Sequence, residues 1–427
     1  MNLKEMLNPF PVQRTKVYGV ISEIEKFDKD LFILNFDLVN EEMIRFDNKI
    51  YSGNMVKYDN PKGKLYLYFM TIETDHDTLN RYFLNQKDDE VYEYELIPID
   101  MYDNNIDSNA IICNIYFTAS PISEKSYYIK LIKKVFPIPI ASPDLKNEPL
   151  DNLADIKNEL NSVFKYPMKV DYFRVHNVGQ GGCNTVAFKS NNKLFFDIGI
   201  TKYKNKDILY NRYKSTFSLF KLDDYDTVIL SHWDEDHFIG LCLDSEGILL
   251  RKHWIVPDFG ISPNVRRIAY IIDNYGKLIR ISNKIKGKFY DKDELILFKG
   301  SGENKNDSGI ILGINGSRQN LIAMGDASYK SARCIEKYSI FGKKVFKEID
   351  YLVVPHHGAE VEGDIIFNPK VPISESGYYV HPSDAVISVG YNPKTYKHPR
   401  TNTIVKLYNK QFRIIRTDKD GRQFIKF

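Results

Sequence analysis

Residues 227–237 read Thr-Val-Ile-Leu-Ser-His-Trp-Asp-Glu-Asp-His, and this stretch decides the architecture of the chain. An apolar run typical of a buried strand ends in four potential metal ligands within six residues: His232, Asp234, Asp236 and His237. Imidazole and carboxylate together suit Zn²⁺, Mn²⁺ or iron. A bound cation would also relieve the repulsion among closely spaced carboxylates. A polar loop after a buried strand is the simpler interpretation, but so dense a cluster favours a metal site.

The composition is that of an ordinary soluble globular protein, with 43% hydrophobic and 27% charged residues in a chain of 427. Such a length allows two or three domains. The sequence contains no apolar run long enough to span a bilayer, and its N-terminus lacks the apolar core of a signal peptide. The four cysteines are scattered without CxxC spacing, which favours reduced thiols. We therefore expect a cytoplasmic protein that does not enter the membrane.

Charge is unevenly distributed along the chain. Residues 1–165 contain 19 basic and 27 acidic side chains, whereas residues 166–427 contain 40 and 29, which gives net charges of −8 and +11. The acidic ligand cluster lies in the basic part. A basic surface around a metal site favours an anionic substrate, possible examples being phosphodiesters and nucleic acid. A lysine-rich surface that pairs with the acidic first part of the chain is the equally open alternative.

Two domains joined by a helix are predicted. Residues 1–150 contain strand-like runs separated by turn-prone stretches, which indicates a mainly-β accessory domain of unknown role. Residues 151–167 have apolar side chains at helical spacing and predict a linker helix. Strand-like and helical segments alternate in residues 168–427, with helices predicted at 209–220 and 331–341. The accessory domain could bind a protein partner, cover the substrate as a lid or mediate self-association, and its sequence does not choose among these roles.

Acidic and histidine side chains recur where the predicted strands of the second domain end. Besides the cluster at 232–237, they are Asp197, Asp326 and the pair His356-His357. Loops that follow different strands can meet at one edge of a mixed α/β scaffold. The sequence therefore predicts one site that is assembled from distant loops.

The set of motifs and their order resemble the metallo-β-lactamase superfamily over roughly residues 168–427. Ser231–His237 is similar to the superfamily's HxHxDH motif, with Asp234 in place of the middle histidine. The chain is similar in particular to the metallo-β-lactamase domain of the ComEC DNA-uptake proteins. The segments that carry this resemblance are Asn177–Gly181, Asp197–Gly199, Asn306–Ser308, Met324–Asp326, Val354–Gly358, Ser388–Gly390, His398-Pro399 and Arg416–Asp418. The resemblance implies an αββα sandwich with two divalent metal ions, Zn²⁺ or Mn²⁺, at one edge.

The resemblance also implies a ligand set with one bridging carboxylate. The first metal would be held by His232 and Asp234, the second by Asp236, His237 and His357, and Asp326 would bridge the two. Which of His356 and His357 is the ligand stays open. Asp197 would anchor the ligand loop from behind, because the residues that support metal ligands fix their orientation.

Further residues are candidates for chemistry and substrate contact. Asp236 or Asp326 would orient a metal-activated water, and His356 or His398 would donate a proton to the leaving oxygen. A purely structural role is equally open for His398, which precedes a proline. The candidates that would contact substrate or support the site are Gln180, Asn306 and Ser308.

Two features depart from the family pattern. Asn306-Asp307-Ser308 replaces the histidine of the third motif, as in ComEC-like domains, and leaves the first site oxygen-rich and poor in ligands. Such a site favours Mn²⁺ over tightly bound Zn²⁺. The family's Gly-Gln-Gly-Asp is Gly-Gln-Gly-Gly here, so an acidic residue is missing at Gly182.

The motifs and the basic second domain favour a metal-dependent phosphodiesterase, in particular a nuclease that acts on DNA or RNA. The alternative enzyme is a small-molecule hydrolase of the same fold, acting on a cyclic nucleotide, a phosphoester or a lactone. The alternative outside enzymes is a metal-bound module that binds a partner, because a fold alone does not determine function.

Overall fold

The computed structural model describes residues 14–26, 30–40, 68–83, 91–99, 111–117, 124–134, 145–201, 220–244, 246–258, 262–340, 343–371, 382–390 and 398–427. In these ranges the chain forms a closed β-barrel and two seven-stranded sheets. The helix predicted at 209–220 lies outside the described residues, apart from Phe220. Within the described part of the chain, every helix is too short or too polar to cross a membrane.

The accessory domain is a six-stranded antiparallel barrel, in agreement with the mainly-β prediction. Its strands, numbered along the chain, are β1 (Thr15–Lys26), β2 (Leu31–Asn40), β3 (Tyr68–Asp75), β4 (Tyr92–Pro98), β5 (Ile111–Phe117) and β6 (Glu124–Lys134). They pair in the order β1-β2-β3-β5-β6-β4, and β4 closes back onto β1. Helix α1 (His76–Tyr82) follows β3. Alternate side chains point inward, so that Phe36, Tyr94 and Tyr127 fill the interior.

The first sheet of the second domain has the order β12-β11-β10-β9-β8-β7-β24. Its strands are β7 (Val170–Val175), β8 (Cys183–Phe188), β9 (Lys193–Ile198), β10 (Tyr225–Ile229), β11 (His253–Pro257), β12 (Lys277–Ile281) and β24 (Gln423–Lys426). Strands β9 to β12 are parallel to one another. The loops that follow them therefore start at the same edge of the sheet.

The second sheet has the order β13-β14-β15-β16-β20-β22-β23. Its strands are β13 (Gly287–Lys292), β14 (Leu295–Lys299), β15 (Ile310–Asn315), β16 (Asn320–Ala323), β20 (Tyr351–Val353), β22 (Asp384–Ile387) and β23 (Arg413–Arg416). Two short pairs flank it, namely β17 (Ser339–Ile340) with β18 (Lys343–Lys344) and β19 (Glu348–Ile349) with β21 (Asn368–Pro369).

The alternation of apolar residues along the strands explains why the two sheets stack between helices. In β14, Leu295 and Leu297 face the core between the sheets, whereas Ile296 and Phe298 face the opposite side. The outer faces are covered by helices such as α4 and α5. The α-helices in the described part of this domain are α2 (Leu153–Val163), α3 (Glu235–Phe238), α4 (Pro263–Tyr275), α5 (Thr401–Asn409) and α6 (Thr417–Asp420). The predicted αββα sandwich is confirmed.

Two predicted helices differ in detail from the structure. Helix α2 lies within the predicted linker at 151–167, and its apolar face is buried in the core between the sheets. The prediction of a helix at 331–341 is wrong, because a 3₁₀ helix spans Ser331–Lys337 and strand β17 follows it. Ser331 Oγ donates a hydrogen bond to the Asp307 carbonyl, and Cys334 Sγ to the Lys299 carbonyl. These bonds tie the segment to a neighbouring loop and compete with a regular α-helix.

The barrel contacts the second domain at the N-terminus of α4. Asp37 on β2 accepts hydrogen bonds from Ser262 Oγ and Asn264 Nδ2. Burial raises the pKa of Asp37 to about 7, and the nearby Glu235 carboxylate adds to the rise. The hydrogen bonds from Ser262 and Asn264 oppose it. Glu235 belongs to α3, which carries part of the ligand cluster. The barrel therefore lies within electrostatic reach of that cluster.

Candidate metal centre

Strand ends of both sheets bring the predicted ligands together. The chain leaves β10 to form the loop and short helix of His232–His237, and Asp326 and His357 follow β16 and β20 of the other sheet. Two triads result, in which one potential ligand atom of each member lies within 4.8 Å of the others. The triads are His232, His237 and Asp326, and Asp236, His237 and His357. His237 belongs to both.

Asp326 lies between the histidines, as expected of a bridging carboxylate. Its Oδ1 is 3.1 Å from His237 Nε2, and its Oδ2 is 3.6 Å from His232 Nε2. On the other side of the cluster, His357 Nε2 is 3.2 Å from Asp236 Oδ2. Five of the six predicted ligands thus form one connected group, while among the described residues Asp234 belongs to neither triad.

The Nδ1 atom of each triad histidine has a polar neighbour on the side away from the cluster. His237 Nδ1 is 2.9 Å from Asp197 Oδ2, and His357 Nδ1 donates to the Ser388 carbonyl at 2.9 Å. His232 Nδ1 is 3.0 Å from Ser231 Oγ. A proton held on Nδ1 leaves the Nε2 lone pair directed at the cluster, which is the tautomer that binds metal.

Ser231 is a supporting residue that the sequence analysis missed. Its backbone N–H and its hydroxyl both donate to the buried Asp197 carboxylate, at 2.6 and 2.8 Å. The same hydroxyl lies beside the Nδ1 atoms of His232 and His237. Its position directly before His232 was a usable signal, because a small hydroxyl residue at the end of a buried strand can bond to neighbouring ligand side chains.

Unpartnered buried atoms test whether these residues fit a metal. His232 Nε2, His237 Nε2, His357 Nε2 and Asp326 Oδ1 are buried and form no well-aligned hydrogen bond among the described residues, although carboxylate oxygens lie 3.1 Å from His237 Nε2 and 3.2 Å from His357 Nε2. Such atoms are costly to bury. All four belong to the triads and point into one space. The donor set therefore fits a divalent cation that would bind these atoms.

The electrostatics without a cation point the same way. Burial lowers the pKa of His237, but the carboxylates of Asp326 and Asp197 outweigh it and raise that pKa well above its usual value. Burial raises the pKa of Asp326, yet His356, His237 and His232 hold it well below its usual value. Without a cation the His237 imidazole therefore favours its protonated form, and metal binding would release that proton.

The surroundings of Gly182 explain why the Gly-Gln-Gly-Gly stretch has no acidic residue at this position. A Cβ atom at this position would lie 2.6 Å from His237 Nδ1 and 3.0 Å from Asp197 Oδ2. Real Cβ contacts are longer than that, so any side chain would displace the imidazole or the carboxylate that supports it. The space that a side chain would need is thus occupied by the centre itself.

The structure distinguishes the two adjacent histidines. His357 is buried and belongs to a triad, whereas His356 is 33% exposed and has its Nε2 3.7 Å from Asp326 Oδ2. Both have positive φ angles, 49° and 53°, in the left-handed region that few non-glycine residues adopt. This turn directs one imidazole into the cluster and leaves the other at its open side. The geometry favours His357 as the ligand.

Asp234 has a neighbour that the sequence analysis did not single out. Its Oδ2 is 3.3 Å from His232 Nε2, as a ligand of the first metal would require. Its Oδ1 is 2.5 Å from Lys305 Nζ. Lys305 comes from the loop that carries Asn306-Asp307-Ser308 in place of the family's histidine. A lysine ammonium thus approaches the side of the centre that is poor in ligands.

The remaining candidates lie around this core. His398 is buried with its ring 5.8 Å from that of His356, and burial, helped by His356 and His357, lowers its pKa to about 3. A neutral imidazole of this kind is a poor proton donor at neutral pH. Gln180 is buried, with its backbone beside Gly390. Ser308 is buried, and its carbonyl accepts a hydrogen bond from Lys299, whereas Asn306 is only partly buried.

No protein-family model and no curated protein matches the sequence. Among solved structures, the metallo-β-lactamase-fold protein YhfI from Bacillus subtilis is 11% identical over 60% of this chain and 100% of its own, with a TM-score of 0.35. Zn²⁺-bound PqqB from Methylobacterium extorquens is 10% identical over 58% of this chain and 87% of its own, with a TM-score of 0.32.

A third solved structure is that of a quorum-quenching N-acyl homoserine lactone hydrolase. It is 16% identical over 38% of this chain and 76% of its own, with a TM-score of 0.26. The second domain itself, with two stacked sheets between helices and ligands at strand ends, has the metallo-β-lactamase fold. Likenesses at this level concern the fold alone, so the chemistry of the centre rests on the residues of this chain.

Proposed function

We propose that this protein is a metal-dependent phosphodiesterase whose substrate class is nucleic acid. The observation that carries the proposal is the pair of triads that share His237 and direct buried, unpartnered Nε2 atoms into one space. Bound divalent ions would supply Lewis acidity and would lower the pKa of a coordinated water toward neutrality. Two imidazoles and one carboxylate in each triad suit Zn²⁺ or Mn²⁺.

The side chains at the open side of the centre support an anionic substrate. Lys305 and His356 both reach this side, and both can donate hydrogen bonds to phosphate oxygens. Residues 166–427 carry a net charge of +11, which would attract a polyanion. The motif resemblance to the ComEC DNA-uptake domain agrees with a nuclease.

Three residues of this chain are assigned to proton transfer and positioning. His356 would donate a proton to the leaving oxygen, because it is partly exposed, belongs to neither triad and lies 3.7 Å from Asp326. Asp236 is held 3.2 Å from His357 Nε2 and would orient the attacking water through its carboxylate. His398 packs behind His356 and would hold that ring in place.

The test is hydrolysis by the purified protein supplied with Mn²⁺ or Zn²⁺. The substrates are single- and double-stranded DNA, RNA and bis-p-nitrophenyl phosphate. We expect cleavage of polymer that is absent from the Asp236→Ala/His237→Ala variant. His356→Ala should lower kcat about 10²-fold or more, since positioned proton transfer contributes on the order of 10²–10⁴-fold.

The matched control is His253→Ala. His253 is a partly buried histidine on β11 whose Nδ1 lies 3.3 Å from the Asp226 carbonyl, and its removal should leave kcat unchanged. Hydrolysis of the small diester while polymers stay intact would replace the nuclease with a small-molecule phosphodiesterase. Bound metal without turnover of any substrate would contradict the proposal and would favour a module that binds a partner.

A further inference from the structure

Lys305 has no role in the fold's ligand set, yet it reaches the centre. Its ammonium lies 2.5 Å from Asp234 Oδ1, and the other oxygen of that carboxylate is 3.3 Å from His232 Nε2. The Lys305 side chain is 51% exposed and Asp234 is 16% exposed. One carboxylate thus separates a solvent-accessible cation from the candidate metal site.

The loop that presents Lys305 is held by many hydrogen bonds. Asp307 Oδ1 accepts from the Ser328 N–H at 2.8 Å, and Asp307 Oδ2 accepts from Asn304 Nδ2 at 3.0 Å. The buried Lys299 ammonium donates to the Ser308 carbonyl and to Asn283 Oδ1. Contacts on both sides of position 305 therefore fix its backbone, and the long side chain projects from a firm base.

The position suits a substrate contact rather than a metal contact. An ammonium carries three donors and is a compact point charge, so one donor can bond to Asp234 while the group also meets an anion. A metal ion would repel it, whereas a phosphate oxygen bound at the centre would attract it. Lys305 directly precedes Asn306-Asp307-Ser308, the stretch that has no histidine where the third motif would have one.

We propose that Lys305 is a substrate-binding residue that contacts a non-bridging oxygen of an anionic phosphoester at the centre. The proposal rests on the proposed function and narrows it to negatively charged substrates. Asp234 holds the ammonium beside the centre before substrate arrives. The competing role for Lys305 is purely structural: it would only orient Asp234 toward the first metal.

A comparison of charged and neutral substrates distinguishes substrate binding by Lys305 from a purely structural role of Lys305. Bis-p-nitrophenyl phosphate is an anion, and diethyl p-nitrophenyl phosphate is a neutral ester with the same leaving group. In Lys305→Met, selectivity for the anionic over the neutral ester should fall about tenfold or more, mainly through KM, because hydrogen bonds to charged groups have this magnitude. Lys305→Arg should recover part of the selectivity.

Lys330→Met is the matched control. Lys330 is also an exposed lysine with an ion pair of 2.5 Å, to Glu362, and its loss should leave the selectivity unchanged. Metal content, measured by elemental analysis, should be the same in wild type and Lys305→Met. An equal loss of activity on both esters, together with less bound metal, would overturn the proposal in favour of the structural role.

A binding measurement separates this proposal from the proposed function. Inorganic phosphate is titrated calorimetrically into the Mn²⁺-loaded wild type, Lys305→Met and Lys330→Met. Phosphate binding that is about tenfold weaker only in Lys305→Met would support the proposal even if neither ester is hydrolysed. Equal phosphate affinity in the three proteins would overturn it, whatever the activity.

Discussion

The two halves of the centre are built differently. In the half formed by Asp236, His237 and His357, both histidines are buried, and their Nδ1 atoms are fixed by Asp197 and a backbone carbonyl. We call this the buried half. In the half formed by His232 and Asp234, the histidine is also buried and the carboxylate is 16% exposed, against 15% for Asp236, but Asp234 is paired with the exposed Lys305. We call this the open half.

The difference suggests separate roles for the two halves, with tight metal binding in the buried half and substrate contact in the open half. Ligands that are locked by supporting contacts before the metal arrives bind it more tightly. The buried half meets this condition, because Asp197 and the Ser388 carbonyl hold the Nδ1 atoms of its two histidines. In the open half, the ligand carboxylate of Asp234 is paired with Lys305, for which we propose a contact with the anionic substrate. Asp326 and His237 connect the two, so each half should influence the other.

The largest effect is expected from Gly182→Ala, because it would displace His237, the histidine that connects the two halves. The added Cβ would lie 2.6 Å from His237 Nδ1, so the shared imidazole must move. Metal affinity and hydrolysis should both fall about tenfold or more, since forced overpacking typically costs about 1–3 kcal/mol. Elemental analysis after dialysis and the rate on bis-p-nitrophenyl phosphate check this. Unchanged metal content would mean that His237 is less fixed than the buried half requires.

A moderate effect is expected from Asp37→Asn, which tests whether the barrel supports the buried half through α3. Because the pKa of Asp37 is raised in the folded protein, protonated Asp37 contributes to the free energy of unfolding, and this contribution is complete below about pH 4. The contribution, roughly 4 kcal/mol at most, is lost as the pH rises through about 7. In Asp37→Asn, the change in Tm between pH 5.5 and pH 8.5 should shrink by several degrees.

The control for this prediction is Asp30→Asn, which changes an exposed acid on the same barrel and should keep the wild-type pH dependence. An Asp37→Asn protein that retains the full pH dependence would show that another group is responsible.

The smallest effect is expected from His398→Gln. Its pKa of about 3 keeps the imidazole neutral, and its ring lies 5.8 Å from that of His356, so we propose that it positions His356 rather than donates a proton. Loss of kcat should be about tenfold or less, against about 10²-fold or more for His356→Ala. The pH-rate profile of His398→Gln should keep the wild-type shape. A variant that loses one limb of the profile would identify His398 as the proton donor instead.

Much of the second domain could be predicted because its signals are local. The apolar run before His232 and the histidines and acids at strand ends depend on neighbouring residues, and the structure brings them to one edge. Helix α4 also had a local signal that was missed, with Ser262 as N-cap, Pro263 at its start and apolar residues at Val265, Ile268, Ala269 and Ile272.

The rest depends on pairing between distant residues, which a single sequence does not reveal. Closure of the barrel requires β4 to pair with β1, with Glu93 opposite Tyr18. The contact of Lys305 with Asp234 joins loops 71 positions apart. Cys334 and Ser331 bond to carbonyls of another loop, which turned a predicted α-helix into a shorter 3₁₀ segment.

The most direct test of the unequal halves is a metal titration of the wild type, His357→Ala and Asp234→Ala, monitored by calorimetry and elemental analysis. The account predicts one tight and one weaker equivalent in the wild type. His357→Ala should lose the tight equivalent, and Asp234→Ala should keep it while the weaker one is lost. Loss of the tight equivalent in Asp234→Ala, with retention in His357→Ala, would contradict the account.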